Sequence, residues 1–250
     1  MSVHHAPVLI VGAGAAGLAT ATLLAHHGVR SLLVEQRHEV FRYPKARNLS
    51  FRSLEILRGL SLSDEAHAVA EGVTDMVLKP TLNSAEERRA FDVAAVFAPF
   101  DGLSPEPAAQ YCPQSRLEPI LLAETRRRGS QVRYGTKLSS FESDATGVTA
   151  VLCDLDSGTS EVVRADYLVA ADGVHSPVRD TLAVPTSGYG ALPIFVTFTY
   201  FRAPWRKFVP RLADGDAVQV SNAKVDGIFV VAEGDLGMFI STYAPDRGES

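Results

Sequence analysis

A short apolar run, Val8 to Val11, leads into a cluster of small residues, Gly12-Ala13-Gly14-Ala15-Ala16-Gly17. Beyond it, apolar positions recur at Leu18, Ala21, Leu24 and Ala25. The run has the length and β-branched content of a strand buried on both faces, and the spacing after it is helical. The helix stops near Gly28, and a second apolar strand, Ser31 to Val34, ends in Glu35. The chain therefore opens with a β-α-β unit whose first turn is rich in glycine.

The pattern then becomes more mixed. Charge and a proline predict an irregular loop over residues 36–48. Ser50 is placed to cap a helix through Leu60, with Leu54, Ile56, Leu57 and Leu60 facing inward. A short helix is expected from Ser63 to Glu71. Strands are expected over Val73 to Leu78 and Ala90 to Phe97, followed by a loop from Pro99 to Pro107. Tyr111 to Arg116 leads into an amphipathic helix carrying Leu117, Ile120, Leu121, Leu122 and Ala123 on its apolar face and ending at Gly129. A β-meander follows, with strands at 131–134, 137–143, 148–154 and 161–165. A last apolar run, Tyr167 to Ala171, ends in Asp172-Gly173. Ser176-Pro177 opens a short helix, since proline costs least in a first turn. From Ile194 the chain is β-rich, with turns expected at Asp214-Gly215, Asp226-Gly227 and Glu233-Gly234-Asp235.

Composition narrows the function classes. With 46% hydrophobic and 21% charged residues, the chain has the make-up of a globular protein. A net charge of −5 argues against general nucleic-acid binding. The run Arg126-Arg127-Arg128 is better suited to complement a helix C-terminus. Cys112 and Cys153 are too few and too far apart for a disulfide framework, which points to a cytoplasmic setting. No apolar stretch is long enough to span a membrane, and neither cysteine has metal-ligating neighbours.

The glycine turn carries the first chemistry. Gly12 permits a tight exit from the strand, Gly14 leaves room for a pyrophosphate against the backbone, and Gly17 lets the helix pack close to the strand. The helix N-terminus offers free N–H groups and partial positive charge to phosphates. The Glu35 carboxylate, at the end of the second strand, can accept both hydroxyls of an adenosine ribose. An acid there disfavours a 2′-phosphate, so the site suits FAD or NAD rather than NADP. A second element, Asp166 to Arg179, delivers Asp172 to the carboxyl end of a strand, where open α/β sheets bind ligands.

Together these elements resemble the N-terminal part of a single-component FAD-dependent aromatic hydroxylase. This is the flavoprotein monooxygenase group of p-hydroxybenzoate hydroxylase, the phenol hydroxylases and the polyketide-tailoring hydroxylases. Gly12, Gly14, Gly17 and Glu35 match the FAD fingerprint. Pro44-Lys45-Ala46-Arg47 with the helix after it resembles the family's arginine loop. Pro113-Gln114 through Leu122 resembles its flavin-contacting segment, and Asp172-Gly173 with Ser176 and Arg179 matches its Asp-Gly motif. The resemblance implies an α/β fold: a Rossmann-like FAD-binding domain with a β-meander (residues 1–72 and 108–185) and an incomplete β-rich substrate domain (73–107 and 186–250). It implies a cofactor-binding set of Gly12, Ala13, Gly14, Ala15, Ala16, Gly17, Glu35, Gln36, Arg37, Arg47, Gln114, Asp172 and Gly173. Arg47 and Gln114 would follow the ribityl and pyrophosphate, Arg37 the adenine or an incoming nicotinamide cofactor, and Asp172 would help couple FAD to NAD(P)H. Read from the residues alone, Arg47 is equally a surface charge on a loop and Gln114 equally a helix cap. His175, inside the Asp-Gly motif, is a further candidate for cofactor contact.

By the same resemblance, NADPH or NADH would reduce FAD, and a flavin hydroperoxide formed with molecular oxygen would hydroxylate an aromatic substrate, either phenolic or polycyclic polyketide. No catalytic triad is expected. The substrate pocket would be apolar and walled by strands from 73–98 and 190–243, with Phe195, Phe198, Tyr200, Phe239 and Tyr243 as candidates. One departure stands out. The family's third motif, Gly-Asp before a long helix, has no match, and Gly215-Asp216 and Gly234-Asp235 lie in β-rich sequence. The last residues, Arg247 to Ser250, read as mid-domain sequence, so an incomplete hydroxylase is expected. Three alternatives stay open: a truncated or split flavoprotein that binds FAD or a second chain without turnover, an FAD dehydrogenase or oxidase that inserts no oxygen, and a plain NAD-dependent dehydrogenase.

Overall fold

The structure is a computed structural model that describes residues 4–43, 46–73, 75–100, 102–207, 209 and 212–243, with Ala94 described by its backbone alone. Pro44 and Lys45 of the expected arginine loop, and Arg247 to Ser250, lie outside the described residues. In chain order the elements are β1 (His4–Val11), α1 (Ala15–His26), β2 (Ser31–Val34), β3 (Asn48–Ser50), α2 (Phe51–Gly59), α3 (Ser63–Ala68), β4 (Glu71–Gly72), β5 (Met76–Lys79) and β6 (Arg88–Phe91). There follow α4 (Val93–Phe97), β7 (Ala109–Tyr111), α5 (Gln114–Arg127), β8 (Gln131–Arg133), β9 (Thr136–Asp144), β10 (Gly147–Asp154), β11 (Ser160–Ala170), α6 (Pro177–Thr181), β12 (Phe195–Arg202), β13 (Ala217–Ser221), β14 (Asp226–Glu233) and β15 (Leu236–Tyr243). The chain divides into two compact units, residues 1–46, 56–69 and 113–185 in the first, and 47–55, 70–112 and 186–250 in the second.

The first unit is built on one six-stranded sheet in the order β8-β2-β1-β11-β10-β9. β8, β2, β1 and β11 run parallel, and β11, β10 and β9 form an antiparallel meander on the same sheet. Leu9, Leu32, Ala150, Leu152, Val163 and Ala165 pack as one buried cluster, so the parallel half and the meander share a core. α1 lies against α5 through a buried hydroxyl pair, Thr22 Oγ1 and Thr125 Oγ1, 2.8 Å apart, and the Thr22 hydroxyl also donates to the Leu18 carbonyl at 2.8 Å. Two polar groups therefore sit inside a helix interface without being left unsatisfied.

The second unit has a six-stranded sheet in the order β12-β15-β14-β13-β5-β6 and a small sheet β3-β7-β4. Trp205, Phe229 and Val231 form its buried centre, with Phe201 and Phe239 packed against them.

Several expectations are corrected. The two strands expected at 161–165 and 167–171 are the single strand β11. Asp166, between them, is exposed, with its Oδ1 2.9 Å from His5 Nε2, and the pairing with β1 holds on both sides of it, Ala6 with Ala165 and Val8 with Tyr167. The strand expected at 131–134 is β8, which leaves the meander and pairs parallel with β2. Residues 93–97 form a helix, not a strand. Asp92 Oδ1 accepts from the Ala95 amide at 2.9 Å and Asp75 Oδ1 from the Val93 amide at 2.9 Å, and these caps outweigh the β-preference of valine and phenylalanine. Asp226-Gly227 opens β14 rather than turning. The turn precedes it, where Asn222 Oδ1 accepts from the Lys224 and Val225 amides. Ile56 and Ala123 lie on exposed faces of their helices, and Glu118, Glu124 and Thr125 are buried on α5.

The tightest point of the first unit is the crossing of β1, α1 and the end of β11. A Cβ on Gly17 would lie 1.8 Å from the Gly12 carbonyl oxygen, and one on Gly12, at φ +102°, would lie 2.3 Å from the Ala171 carbonyl oxygen. Both contacts are with backbone and cannot be relieved by a rotamer change. Gly17→Ala is accordingly expected to cost about 3 kcal/mol or more, or to prevent folding. Chemical denaturation of the purified variant would measure this, and an unchanged midpoint would contradict it.

Candidate functional site

The carboxyl ends of β1, β2 and β11 converge on a cavity of 530 Å3, a volume in the usual range for small-molecule sites. It has the place expected for ligands in open α/β sheets. The residues singled out from the sequence fall around it in a definite order. Gly12 and Gly14 lie at the exit from β1 and the start of α1. Glu35, Gln36 and Arg37 follow β2, Asp172 and Gly173 follow β11, and Gln114 opens α5. His175 also lines the cavity. Ala13, Ala15, Ala16 and Gly17 are not part of the lining; Ala13 belongs to the turn itself and the other three to the first turn of α1. Arg47 belongs to the second unit, where burial holds its guanidinium below its usual pKa, with Tyr111 and Tyr200 acting in the other direction.

The three glycines are not equivalent. Gly12 and Gly17 answer to the fold, because backbone occupies the space a side chain would need. Gly14 does not. Its φ of −78° and ψ of −176° are extended values that any residue adopts. A Cβ there would meet only side-chain atoms, Glu118 Oε1 at 3.8 Å and Gln114 Nε2 at 4.0 Å, which is ordinary contact. Among the described residues, nothing in the packing requires glycine at this position. What glycine leaves is bare backbone at the N-terminus of α1, facing the cavity, which is the setting for close approach of a phosphate.

Glu35 is already engaged within the protein. Its buried carboxylate accepts from the Ala13 amide at 2.8 Å, the Arg37 amide at 2.9 Å, and Arg37 Nε and Nη2 at 3.0 and 3.3 Å. Burial pushes its pKa up, but the hydrogen bonds from Arg37 and Ala13 more than offset this and hold it below the ordinary value. The group is therefore an anion at neutral pH. Arg37, expected to reach outward, is folded back onto Glu35, with its guanidinium 5.5 Å from the centre of the Phe41 ring. For Glu35 to accept ribose hydroxyls, the side chain of Arg37 has to give up part of this fork.

Asp172 is likewise partly committed, its Oδ2 accepting from the Val178 amide at 3.1 Å at the start of α6. Ser176 caps the same helix through the Arg179 amide at 3.0 Å. Gln114 is not a helix cap. Pro113 holds the N-cap position with no side-chain bond, and Gln114 Nε2 donates to Glu118 Oε1.

Sequence reading missed Thr136, Lys137 and Leu138, which line the cavity from β9. No local pattern marks them, since the parallel pairing of β8 with β2 is what brings that segment here. It also missed Glu118. Here a signal was present: a carboxylate at the helical spacing of the apolar face, between Leu117 and Leu121.

The expected aromatic wall of a substrate pocket is corrected by register. β12 pairs with β15 so that Phe195 faces Tyr243 and Thr199 faces Phe239, while Phe198 faces Ile240 and Tyr200 faces Met238. Directly opposed residues share a face and neighbours along a strand alternate. Phe195, Phe239 and Tyr243 therefore lie on one face of the sheet, and Phe198 and Tyr200 on the other. Phe239 packs into the core of its unit, and Phe195 stacks on Tyr243 at 5.3 Å. The five cannot wall one pocket together.

Comparison with known proteins gives a consistent picture. Residues 5–242 match the family model described as FAD binding domain. A tetracenomycin A2 monooxygenase-dioxygenase of Streptomyces glaucescens is 36% identical over 207 residues, covering 77% of this chain and 37% of that protein. An aklavinone 12-hydroxylase of Streptomyces peucetius subsp. caesius is 34% identical over 253 residues, covering 97% of this chain and 50% of that protein. Among solved structures, a ternary complex of aklavinone-11 hydroxylase with FAD and aklavinone superposes with a TM-score of 0.85 at 32% identity, covering 100% of this chain and 48% of that one. The chain spans half or less of the length of these relatives. No helix among the described residues is long and apolar enough to cross a membrane.

The contrast between the glycines is testable. Gly14→Ala is expected to leave stability within about 1 kcal/mol of the parent, since no backbone is struck. It should weaken FAD binding at least about tenfold by filling the approach to the backbone. Denaturation and flavin-fluorescence titration of the same preparation separate the two effects. Unaltered FAD affinity would contradict the assignment of Gly14.

Proposed function

The chain belongs to the FAD binding domain family, and on that premise we propose that it is the FAD-binding part of an NAD(P)H-consuming aromatic monooxygenase. The observation that carries the reading is Gly14, a glycine that the fold does not need, at a helix N-terminus open to a cavity. The donors around that cavity fit a dinucleotide. In the first unit, Gly12 to Gly17 would take the pyrophosphate, with the amides of Ala15 and Ala16 in the first turn of α1. Glu35, with Gln36 and Arg37 beside it, would take the adenosine ribose. Gln114 and the Asp172-Gly173 turn would take the flavin side. Arg47 remains a candidate cation of the second unit.

When bound, FAD would supply the redox chemistry, taking two electrons from NAD(P)H and passing one atom of molecular oxygen to an aromatic carbon while the other leaves as water. The protein's own part is to hold the cofactor, orient the substrate and keep water out. Relatives named polyketide hydroxylases support a polyketide over a simple phenol as the substrate. A second reading, FAD binding by these 250 residues without turnover, is favoured by the share of the relatives that the chain covers, 37% in one case and 50% in another.

The test supplies FAD, NAD(P)H, a polycyclic phenol and heavy-isotope oxygen, then follows both nicotinamide oxidation and label in the product. Hydroxylation with one labelled oxygen per product is expected of the monooxygenase. Nicotinamide oxidation with peroxide release and no labelled product would replace it with an oxidase. Bound FAD without nicotinamide oxidation would favour the second reading.

A further inference from the structure

Glu118 has no part in the reading above, yet it is the most unusual charged group in the first unit. It is fully buried on α5, one turn beyond Gln114. Its Oε1 accepts from Gln114 Nε2, and its Oε2 has no hydrogen-bond partner among the described residues. Oε1 lies 3.8 Å from where a Cβ on Gly14 would stand, so the carboxyl lies on the side of the glycine turn that a side chain would fill. A buried polar atom without a partner calls for an explanation.

The groups that act on it come from three sides. Arg37 and Glu35 act from the end of β2 and Tyr134 from the end of β8, and α1 contributes the first-turn amide of Ala15. Burial is the largest influence and opposes the anion, as does the Glu35 charge. Gln114, Arg37 and the Ala15 amide favour the anion, and the balance raises the pKa of Glu118. Arg37, the one cation among these groups, is already forked onto Glu35. A pyrophosphate at the start of α1 would bring further negative charge to a place with little water to screen it, and like charges there disfavour each other strongly.

We propose that Glu118 is a proton-carrying positioning residue beside the glycine turn: the site takes FAD with Glu118 neutral, so that cofactor binding takes up one proton. This rests on the reading that the turn holds FAD. A proton on the carboxyl removes the charge that burial opposes, while Oε1 keeps its bond from the Gln114 side chain. The chemistry is protonation alone: the proton comes from solvent, and no bond other than O–H is formed.

The sign follows from linkage. Binding that takes up a proton weakens as pH rises above the value at which Glu118 ionises in the free protein. Flavin-fluorescence titration from acid to alkaline pH is expected to show Kd rising about tenfold per pH unit in that range. Within that range, calorimetry in two buffers of unequal ionisation heat should count close to one proton taken up. Glu118→Gln, which keeps the shape and cannot ionise, should bind FAD with a flatter pH profile, more tightly than the parent at alkaline pH, and without that proton. Heats with wild-type protein that are independent of buffer across the whole pH range would overturn the proposal while leaving FAD binding intact, and need no variant. A Glu118→Gln protein that is weaker at every pH would overturn it too, since that is the behaviour of a residue required as an anion. A folded chain that binds no FAD at any pH would reject both this proposal and the cofactor reading.

Discussion

Three stretches of backbone come together at Gly12, and the rest of the first unit depends on that approach. The Gly12 amide donates to the Val34 carbonyl and the Ala171 amide to the Val11 carbonyl, each at 2.8 Å. β1, β2 and β11 are thereby locked in register up to their last residues. Gly17 brings α1 down onto the same point. With these fixed, the first N–H groups of α1, the carboxylate of Glu35 and the Asp172-Gly173 turn must all open on one cavity. The site is a consequence of close packing between backbones, and glycine is the residue type that permits it.

Charge is arranged around the same crossing. Glu35 is buried but fully hydrogen-bonded, and its own backbone ties the end of β2 to β8 and β9 through Arg133 and Thr136, each at 2.9 Å. Glu118 is buried and only half satisfied. The two carboxylates lie in one neighbourhood with Arg37, which favours the ionised form of both; its hydrogen bonds go to Glu35, whereas at Glu118 burial outweighs it. Pushing two acids apart in pKa within a low-dielectric site is a recognised route to giving them different protonation states at one pH.

The β1-α1-β2 unit was legible because strand, turn, helix and terminal acid each follow a local rule and all agree. Asp172-Gly173 was legible for the same reason. Less was legible where partners decide. β11 continues past Asp166 because β1 pairs with it on both sides of that residue, and residues 93–97 become helix because Asp92 and Asp75 satisfy its first amides. The aromatic residues of β12 and β15 could be picked out by type, but only the pairing register shows that they divide between two faces. Thr136 to Leu138 reach the cavity through tertiary pairing alone. Glu118 was in plain view as a charge on an apolar face. Its burial and the missing partner on Oε2 become visible only in three dimensions.

The measurement that tests the account most directly is a titration of the purified chain with FAD, followed by the visible flavin spectrum, with circular dichroism run on the same sample. The account predicts a folded protein that takes up close to one FAD per chain. A folded protein that stays colourless at saturating FAD would contradict it, because the glycine turn, Glu35 and the cavity would then be present without the function that explains them.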